Sequence, residues 1–266
     1  MHRWARRLRK PIAFVTLWLF LGQAAFAQSI VADGKTQTLI EVAGKVTDIS
    51  TSTLVDGNAF NSFSEFSIDS GNVVNLHVPS SASNLLNLVH SDTSYIHGML
   101  NSIKDGQIGG NVFFLNPHGF VVGSEGVVNV GTLTVLTPTQ EFMDEFFAAD
   151  GGPSETAVAQ VLDGTVPIDE NGLISIQGEV NAIGDIGLRA GTVTNEGTIA
   201  SGAVFDGSAV DFSDVVNVAG MESGAGLSVE SGKIEIVATD KVANSGTIVS
   251  EGTGGTEAGS IAIEAG

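Results

Sequence analysis

Residues 109–123, Gly-Gly-Asn-Val-Phe-Phe-Leu-Asn-Pro-His-Gly-Phe-Val-Val-Gly, constrain the fold of this chain more than any other segment. The block holds two apolar, β-rich runs and no Asp, Glu, Lys or Arg. Between the runs, Asn116 and Pro117 suit the opening positions of a turn, because proline fixes φ, and Gly119 can adopt a positive φ. Residues 126–133 follow as another short, glycine-bordered apolar run. The pattern predicts buried strands joined by corners, with no helices between them.

Related segments in the second half of the chain indicate a solenoid. Residues 184–199 and 232–248 each contain a strand-sized apolar run followed by Asn and then Gly-Thr-Ile, and a partial copy occupies 259–266. Asn195 and Asn244 are 49 positions apart. Read as two units, this interval gives about 24 residues per coil, within the range of solenoid repeats.

We therefore predict an all-β fold, a right-handed parallel β-helix whose coils stack at the ~4.8 Å strand spacing. An antiparallel β-sandwich is the alternative, because it also consists of many short strands. Asp-Gly, a dipeptide typical of hairpins, occurs six times in the chain. Periodicity alone leaves both folds open, and the repeated segments favour the solenoid.

Residues 1–27 read as a secretory signal peptide. Ala25-Phe26-Ala27 is the expected cleavage site, with the cut between Ala27 and Gln28, and residues 12–21 form the apolar core. That core is about half the ~20 residues of a membrane-spanning helix, so we expect no integral membrane segment after signal removal. Five basic residues precede the core: Arg3, Arg6, Arg7, Arg9 and Lys10.

The mature chain is strongly acidic. Without residues 1–27 it keeps six basic against 30 acidic residues, a net charge of −24. Such a charge repels nucleic acid and anionic membrane surfaces, so we predict no nucleic-acid partner. Cysteine is absent, so no disulfide can lock the chain in an oxidising compartment. The absence of cysteine is consistent with export of the chain in an unfolded state.

One segment breaks the β pattern, and we call residues 138–164 the helical excursion. Residues 137–140, Thr-Pro-Thr-Gln, have the form of a capping box with Pro138 at the first helical position. Phe142, Met143, Phe146 and Phe147 would then share one helical face, and residues 154–162 suit a second helix. Such a face either docks a partner or covers an otherwise exposed sheet.

The excursion divides the predicted solenoid. Residues 28–60 would form an N-terminal β cap, because the open edge and apolar end of a first coil must be covered. Residues 61–137 would form coils that include the Asn116–Gly119 turn, and residues 165–266 would form further repeat coils that stop in mid-pattern.

Motifs that carry chemistry are mostly missing. The chain has no Gly-x-Ser-x-Gly elbow, His-Glu-x-x-His, phosphate loop or dinucleotide fingerprint. The mature histidines, His77, His90, His97 and His118, form no local metal-ligand pair. We predict no catalytic residue, cofactor or metal. The alternative is an exported β-helix enzyme that acts on polysaccharide. A lyase acting on acidic sugars needs cationic groups, and the six scattered basic residues of the mature chain give it little support. A hydrolase needs only two carboxylates at a set separation.

The chain resembles the secretion domain of two-partner-secreted exoproteins, the filamentous haemagglutinin and haemolysin class. In that family an Asn-Pro-Asn-Gly motif lies between two apolar strands, and Asn116-Pro117-His118-Gly119 takes its place here. Upstream, Phe60, Phe63 and Phe66 and the stretch 94–98, Ser-Tyr-Ile-His-Gly, resemble the Phe-x-x-Phe and Ser-x-Ile-x-Gly stretches of such domains. The resemblance covers residues 35–137. His118 departs from the family's Asn, which tolerates a left-handed backbone better.

The resemblance implies the N-terminal secretion module of a large filamentous adhesin, secreted or held at the cell surface. Its implied partner is a cognate outer-membrane β-barrel transporter, whose periplasmic domains bind the unfolded chain before it crosses the membrane and folds outside. Asn116, Pro117, His118 and Gly119 would be the secretion motif, either as a β-helix corner or as a recognition signal. The helical excursion suggests the leukotoxin-type subgroup. Downstream repeats would contact a host cell surface or matrix.

Overall fold

The computed structural model describes residues 29–148, 151–203, 232–250 and 259–266. The predicted signal peptide and its cleavage site at Ala27 and Gln28 lie outside these ranges. The strands in the described ranges are β1 (Ile30–Ala32), β2 (Thr38–Ala43), β3 (Val46–Thr51), β4 (Leu54–Val55), β5 (Asn58–Phe66), β6 (Val73–His77), β7 (Asn84–Val89), β8 (Ser94–Ile96), β9 (Met99–Lys104), β10 (Gln107–Ile108), β11 (Asn111–Leu115), β12 (Phe120–Val122), β13 (Val127–Val130), β14 (Thr132–Leu136), β15 (Leu173–Ile176), β16 (Glu179–Ala182), β17 (Ile186–Asn195), β18 (Thr198–Ser201), β19 (Ile234–Asn244), β20 (Thr247–Ser250) and β21 (Ile261–Ala265). The helices are α1 (Gln140–Asp144) and α2 (Glu155–Leu162). None of the described helices has the length and apolar character needed to cross a membrane.

The strands stack in parallel on three faces, so the fold is a parallel β-helix. Face 1 contains β5, β7, β11, β14, the first halves of β17 and β19, and β21. Face 2 contains β8, β12, β15 and the second halves of β17 and β19. Face 3 contains β3, β6, β9, β13, β16, β18 and β20. Each coil runs through faces 1, 2 and 3 in turn, as in β7, β8 and β9.

The early coils are short, and the helical excursion is inserted into one of them. Asn84 pairs with Asn58 and with Asn111, at sequence separations of 26 and 27. Leu133 pairs with Ile186 on the far side of the excursion, which lies between β14 and β15. The excursion thus lengthens its coil without interrupting the stacking of the strands.

The coil length predicted by halving the interval between Asn195 and Asn244 is wrong. These two residues pair directly, so the 49 positions between them make one coil. The interval contains residues 204–231, which lie outside the described ranges.

Glycine fills the corner between faces 2 and 3 in successive coils. A Cβ placed at any of these glycines would lie 2.0–2.3 Å from a backbone oxygen of the preceding coil. No side chain fits in that space, so glycine lets the corners stack at strand spacing. The positions are Gly98, Gly126, Gly178, Gly197 and Gly246.

Antiparallel strands lie at the N-terminal end of the stack. β1 and β4 pair with β5, and β2 pairs with β3. β3 also pairs in parallel with β6, so residues 28–60, predicted as the cap, include the coil strand β3 and the first residues of β5.

Two large apolar cores result among the described residues, and a small third cluster contains Val46 and Val73. The larger runs inside the coils and includes Ile49, Val112 and Leu188. The second core lies between the outer surface of face 1 and the helices α1 and α2.

The excursion forms helices, but α1 begins two residues later than the capping box predicts. Thr139 is the N-cap, and its side chain accepts a hydrogen bond from the Phe142 amide. Thr137 is buried at the end of β14, because strand pairing holds its amide on the Arg189 carbonyl at 3.1 Å.

Candidate functional site at the Asn116 to Gly119 corner

The sequence motif forms the corner between faces 1 and 2 in the coil of β11 and β12. Strand pairing on both sides holds this corner: β11 lies between β7 and β14, and β12 lies between β8 and β15. Residues 90–93 form the equivalent corner of the preceding coil. In the following coil the helical excursion leaves the stack at this point.

Asn116 is fully buried, and each polar atom of its side chain has a hydrogen-bond partner. Its Nδ2 donates to the Asp92 carbonyl at 2.9 Å and to Ser94 Oγ at 3.0 Å, both in the preceding coil. Its Oδ1 accepts from the His118 amide at 2.9 Å, and its own amide donates to the Leu136 carbonyl at 3.1 Å in the following coil. One amide side chain thus ties the turn to the neighbouring corner.

Gly119 closes the turn and occupies a space that excludes a side chain. Its amide donates to the Asn116 carbonyl at 3.2 Å, and its carbonyl accepts from the Ser94 amide at 3.1 Å. Its φ is +110°, and a Cβ there would lie 2.7 Å from the Leu173 carbonyl oxygen. Both the backbone conformation and the close approach of β15 require glycine.

His118 is the exposed member of the motif, while Pro117 is buried. The His118 Nε2 lies 3.1 Å from the His90 carbonyl oxygen, and the His118 carbonyl accepts from Thr93 Oγ1 at 2.7 Å. The described non-glycine residues with positive φ are Asp56 and Asp105. His118 therefore needs no left-handed backbone, and its departure from the family's Asn leaves the turn geometry intact.

The upstream stretches that resemble the family meet at this corner. Ser94 binds Asn116 directly. Phe63, Phe66, Phe114 and Phe120 form a continuous aromatic stack inside the coils, with successive ring centroids 5.1, 5.3 and 5.2 Å apart. Phe60 instead points outward, to the second core. Sequence reasoning missed Asp92, Leu136 and Leu173 as partners of the motif, since they belong to other coils and carry no local signal.

A cluster of buried Ser62 and partly buried His90 and Asp33 lies next to the corner. Ser62 Oγ donates to Asp33 Oδ2 at 2.7 Å and lies 3.2 Å from His90 Nε2, which is 3.6 Å from the same Asp33 oxygen. In a nucleophilic triad the carboxylate binds the other histidine nitrogen, so this arrangement does not activate Ser62. Burial lowers the pKa of His90, Lys35 lowers it further, and Asp33 and Asp144 act in the opposite direction.

Among the described residues, no group of three or more His, Asp or Glu side chains is arranged to hold a metal ion.

Comparison with known proteins bears on both fold and family. A family model described as the TPS secretion domain matches residues 28–265. Among solved structures, the HMW1 secretion domain from Haemophilus influenzae superposes with a TM-score of 0.50 at 20% sequence identity, covering 88% of this chain and 60% of that chain. The chain thus spans less than two thirds of that domain, whose β-helix fold it shares. A search of curated proteins found no match.

Proposed function

The chain belongs to the family of TPS secretion domains, the N-terminal secretion modules of two-partner secretion exoproteins, and we propose that its cognate transporter reads residues 116–119 before the chain folds. Family membership implies an outer-membrane transporter as partner, and export across that membrane to the cell surface or the medium. The proposal adds which residues are recognised and in which state. The transporter would be a β-barrel with periplasmic recognition domains.

The burial of the motif carries this proposal. Asn116, Pro117 and Gly119 are buried in the folded corner, and every polar atom of the Asn116 side chain has a partner there. A protein that meets the folded module can touch His118, but not the Asn116 side chain. Recognition of the whole motif therefore requires an extended chain, in which the same groups are free to bind the transporter.

The character of the whole chain supports recognition in the unfolded state. The chain has no cysteine to cross-link it in an oxidising compartment, and its high negative charge opposes collapse and aggregation. Parallel strands whose paired residues are 19 to 54 positions apart form slowly, because each pairing must first close a loop. Once outside, each folded coil offers an edge on which the next can form.

Binding to the periplasmic region of the cognate transporter tests this proposal. Residues 28–266 would be offered either diluted from urea or already refolded, and binding would be measured by fluorescence anisotropy. We expect the unfolded chain to bind and the refolded chain to bind at least about tenfold more weakly.

Two matched substitutions separate recognition from folding. Asn116→Ala removes the motif side chain, and Asn87→Ala removes another fully buried asparagine of face 1 that donates to the Phe113 carbonyl. Both variants lose hydrogen bonds in the folded state. We expect Asn116→Ala alone to lose binding of the unfolded chain. Equal binding by both variants would contradict recognition and leave the motif with its role as a corner.

The leukotoxin-type subgroup and the contact with a host remain predictions. The resemblance supports a filamentous adhesin of the leukotoxin type, whose downstream repeats contact a host cell surface or matrix. Binding of the longer exoprotein to host cells, with and without those repeats, would test it. A secretion module is not a catalytic domain, and release of reducing sugar from polysaccharide by the purified chain would be needed to support the enzyme alternative.

A further inference from the structure

Face 1 carries apolar side chains on its outer surface as well as on its inner surface. Two columns point outward: Phe60, Leu86 and Phe113 are paired in register, and so are Leu88, Leu115 and Leu136. Five of these six side chains are at most 1% exposed, and Phe113 is partly buried. A sheet face of this kind would be unusual in contact with water.

The cover of these columns comes from later in the chain. Phe142, Met143 and Phe146 of the helical excursion pack on the columns, with the rings of Phe60 and Phe146 6.3 Å apart. Val158 and Val161 of α2 complete the second core. The columns lie within residues 60–136 and their cover within residues 142–161, so the second core cannot form until both parts are present.

The excursion also contacts the N-terminal cap. Lys35 Nζ lies 5.4 Å from the centroid of the Phe147 ring, a cation–π contact between residues far apart in the sequence. Phe147 in turn packs edge-on against Phe146, with centroids 5.5 Å apart. The cap, the outer columns and the excursion are therefore joined through adjoining side chains.

We propose that the helical excursion is a folding latch, which makes the cap, the coils of β5 to β14 and α1 and α2 fold as one cooperative unit. The unit forms when residues 35–136 and 138–164 lie in the same compartment. Taken with the proposed function, on which this consequence rests, the latch keeps the secretion motif unfolded and readable until the excursion has joined the coils.

Hydrogen exchange on the purified chain, residues 28–266, tests the latch without any transporter, so its outcome is independent of the recognition proposal. Phe146→Ala would loosen the second core, and Leu162→Ala is the matched control, because Leu162 belongs to the same excursion but is 42% exposed. We expect Phe146→Ala to speed exchange in β2, β5, β7 and α1 by a common factor, on the order of 100-fold. Leu162→Ala should leave these rates within about twofold of the unchanged chain.

Faster exchange confined to α1 and α2 would overturn the proposal, because the cap and the coils would then fold without the latch. If Phe146→Ala does not fold, hydrogen exchange is measured on the milder variant Phe146→Leu. A common factor across the cap, the coils and the helices in Phe146→Leu supports the latch, and different factors contradict it.

Discussion

Residues at the Asn116 corner are held mainly by contacts with neighbouring coils and less by contacts within their own turn. The Asn116 side chain binds Asp92 and Ser94 in one coil, and its amide binds Leu136 in the next. The Gly119 carbonyl accepts a hydrogen bond from the Ser94 amide, and the Leu173 carbonyl in the following coil leaves no room for a Cβ at this position. A substitution here disturbs three coils at once, which is why the motif matters to the fold whether or not a partner reads it.

Gly119→Ala should destabilise the chain far more than an alanine at another positive-φ glycine. Gly34→Ala is the control, since Gly34 has φ +82° and a Cβ added there would meet no atom within 4 Å. Gly34→Ala bears the backbone strain alone, whereas Gly119→Ala adds the clash with the Leu173 carbonyl oxygen. We expect a further loss of at least about 2 kcal/mol in the free energy of unfolding, measured by urea titration. Equal losses of stability in the two variants would show that β15 can move away from the added methyl group without an energetic penalty.

His90 should make the fold sensitive to mild acid. Its pKa is lowered in the folded state by burial and by Lys35, so the unfolded chain binds more protons between that lowered value and 6.5. The free energy of unfolding should therefore fall as pH drops below 6.5. His90→Gln should flatten this slope between about pH 7 and 5 in urea titrations. An unchanged slope in His90→Gln would refute the assignment.

At the scale of elements, asparagine ladders fix the register of face 3. Asn101 Nδ2 donates to Asn75 Oδ1 at 3.1 Å, and Asn129 Nδ2 donates to Asn101 Oδ1 at 3.0 Å. Asn181 continues the ladder on Asn129, and Asp48 receives Asn75 at its other end. A one-residue slip of any strand would turn these amides to the opposite side of the sheet, so the ladder specifies the pairing.

Asn101→Ala breaks two rungs of this ladder inside the stack. Asn75 Oδ1 and Asn129 Nδ2 lose their partner at a site that is 1% exposed. We expect a loss of about 1–3 kcal/mol in the free energy of unfolding. The exposed Asn171→Ala should change it by less than about 0.5 kcal/mol. Thermal and urea unfolding of both variants would check this, and equal stability would mean that backbone pairing alone sets the register.

The β-helix could be predicted from the sequence because its strands, corners and glycines are local signals. The coil length could not be read from Asn195 and Asn244, since a sequence interval does not show whether an insertion lies within a coil. The ladder did leave a signal: an apolar residue followed by Asn recurs at 74–75, 100–101, 128–129 and 180–181. Its hydrogen bonds, like those of Asn116, join neighbouring coils and need the register to be known.

At the scale of the whole molecule, the chain is a stack that is stable only through contacts between coils. The interior core runs continuously from Ile49 to Ala238, and the second core joins the first coils to the helical excursion. No disulfide holds these parts, since the chain has no cysteine. The stability of each coil therefore depends on the coils stacked next to it.

Transporter-dependent secretion is the measurement that tests two-partner export of this chain most directly. The chain with residues 1–27, the predicted signal peptide, would be expressed in a Gram-negative host, with and without the transporter encoded nearest to its gene, and quantified in the medium and the periplasm. We expect it to reach the medium only in the host that carries the transporter. Folded, soluble protein retained in the periplasm of both hosts would contradict export by this route.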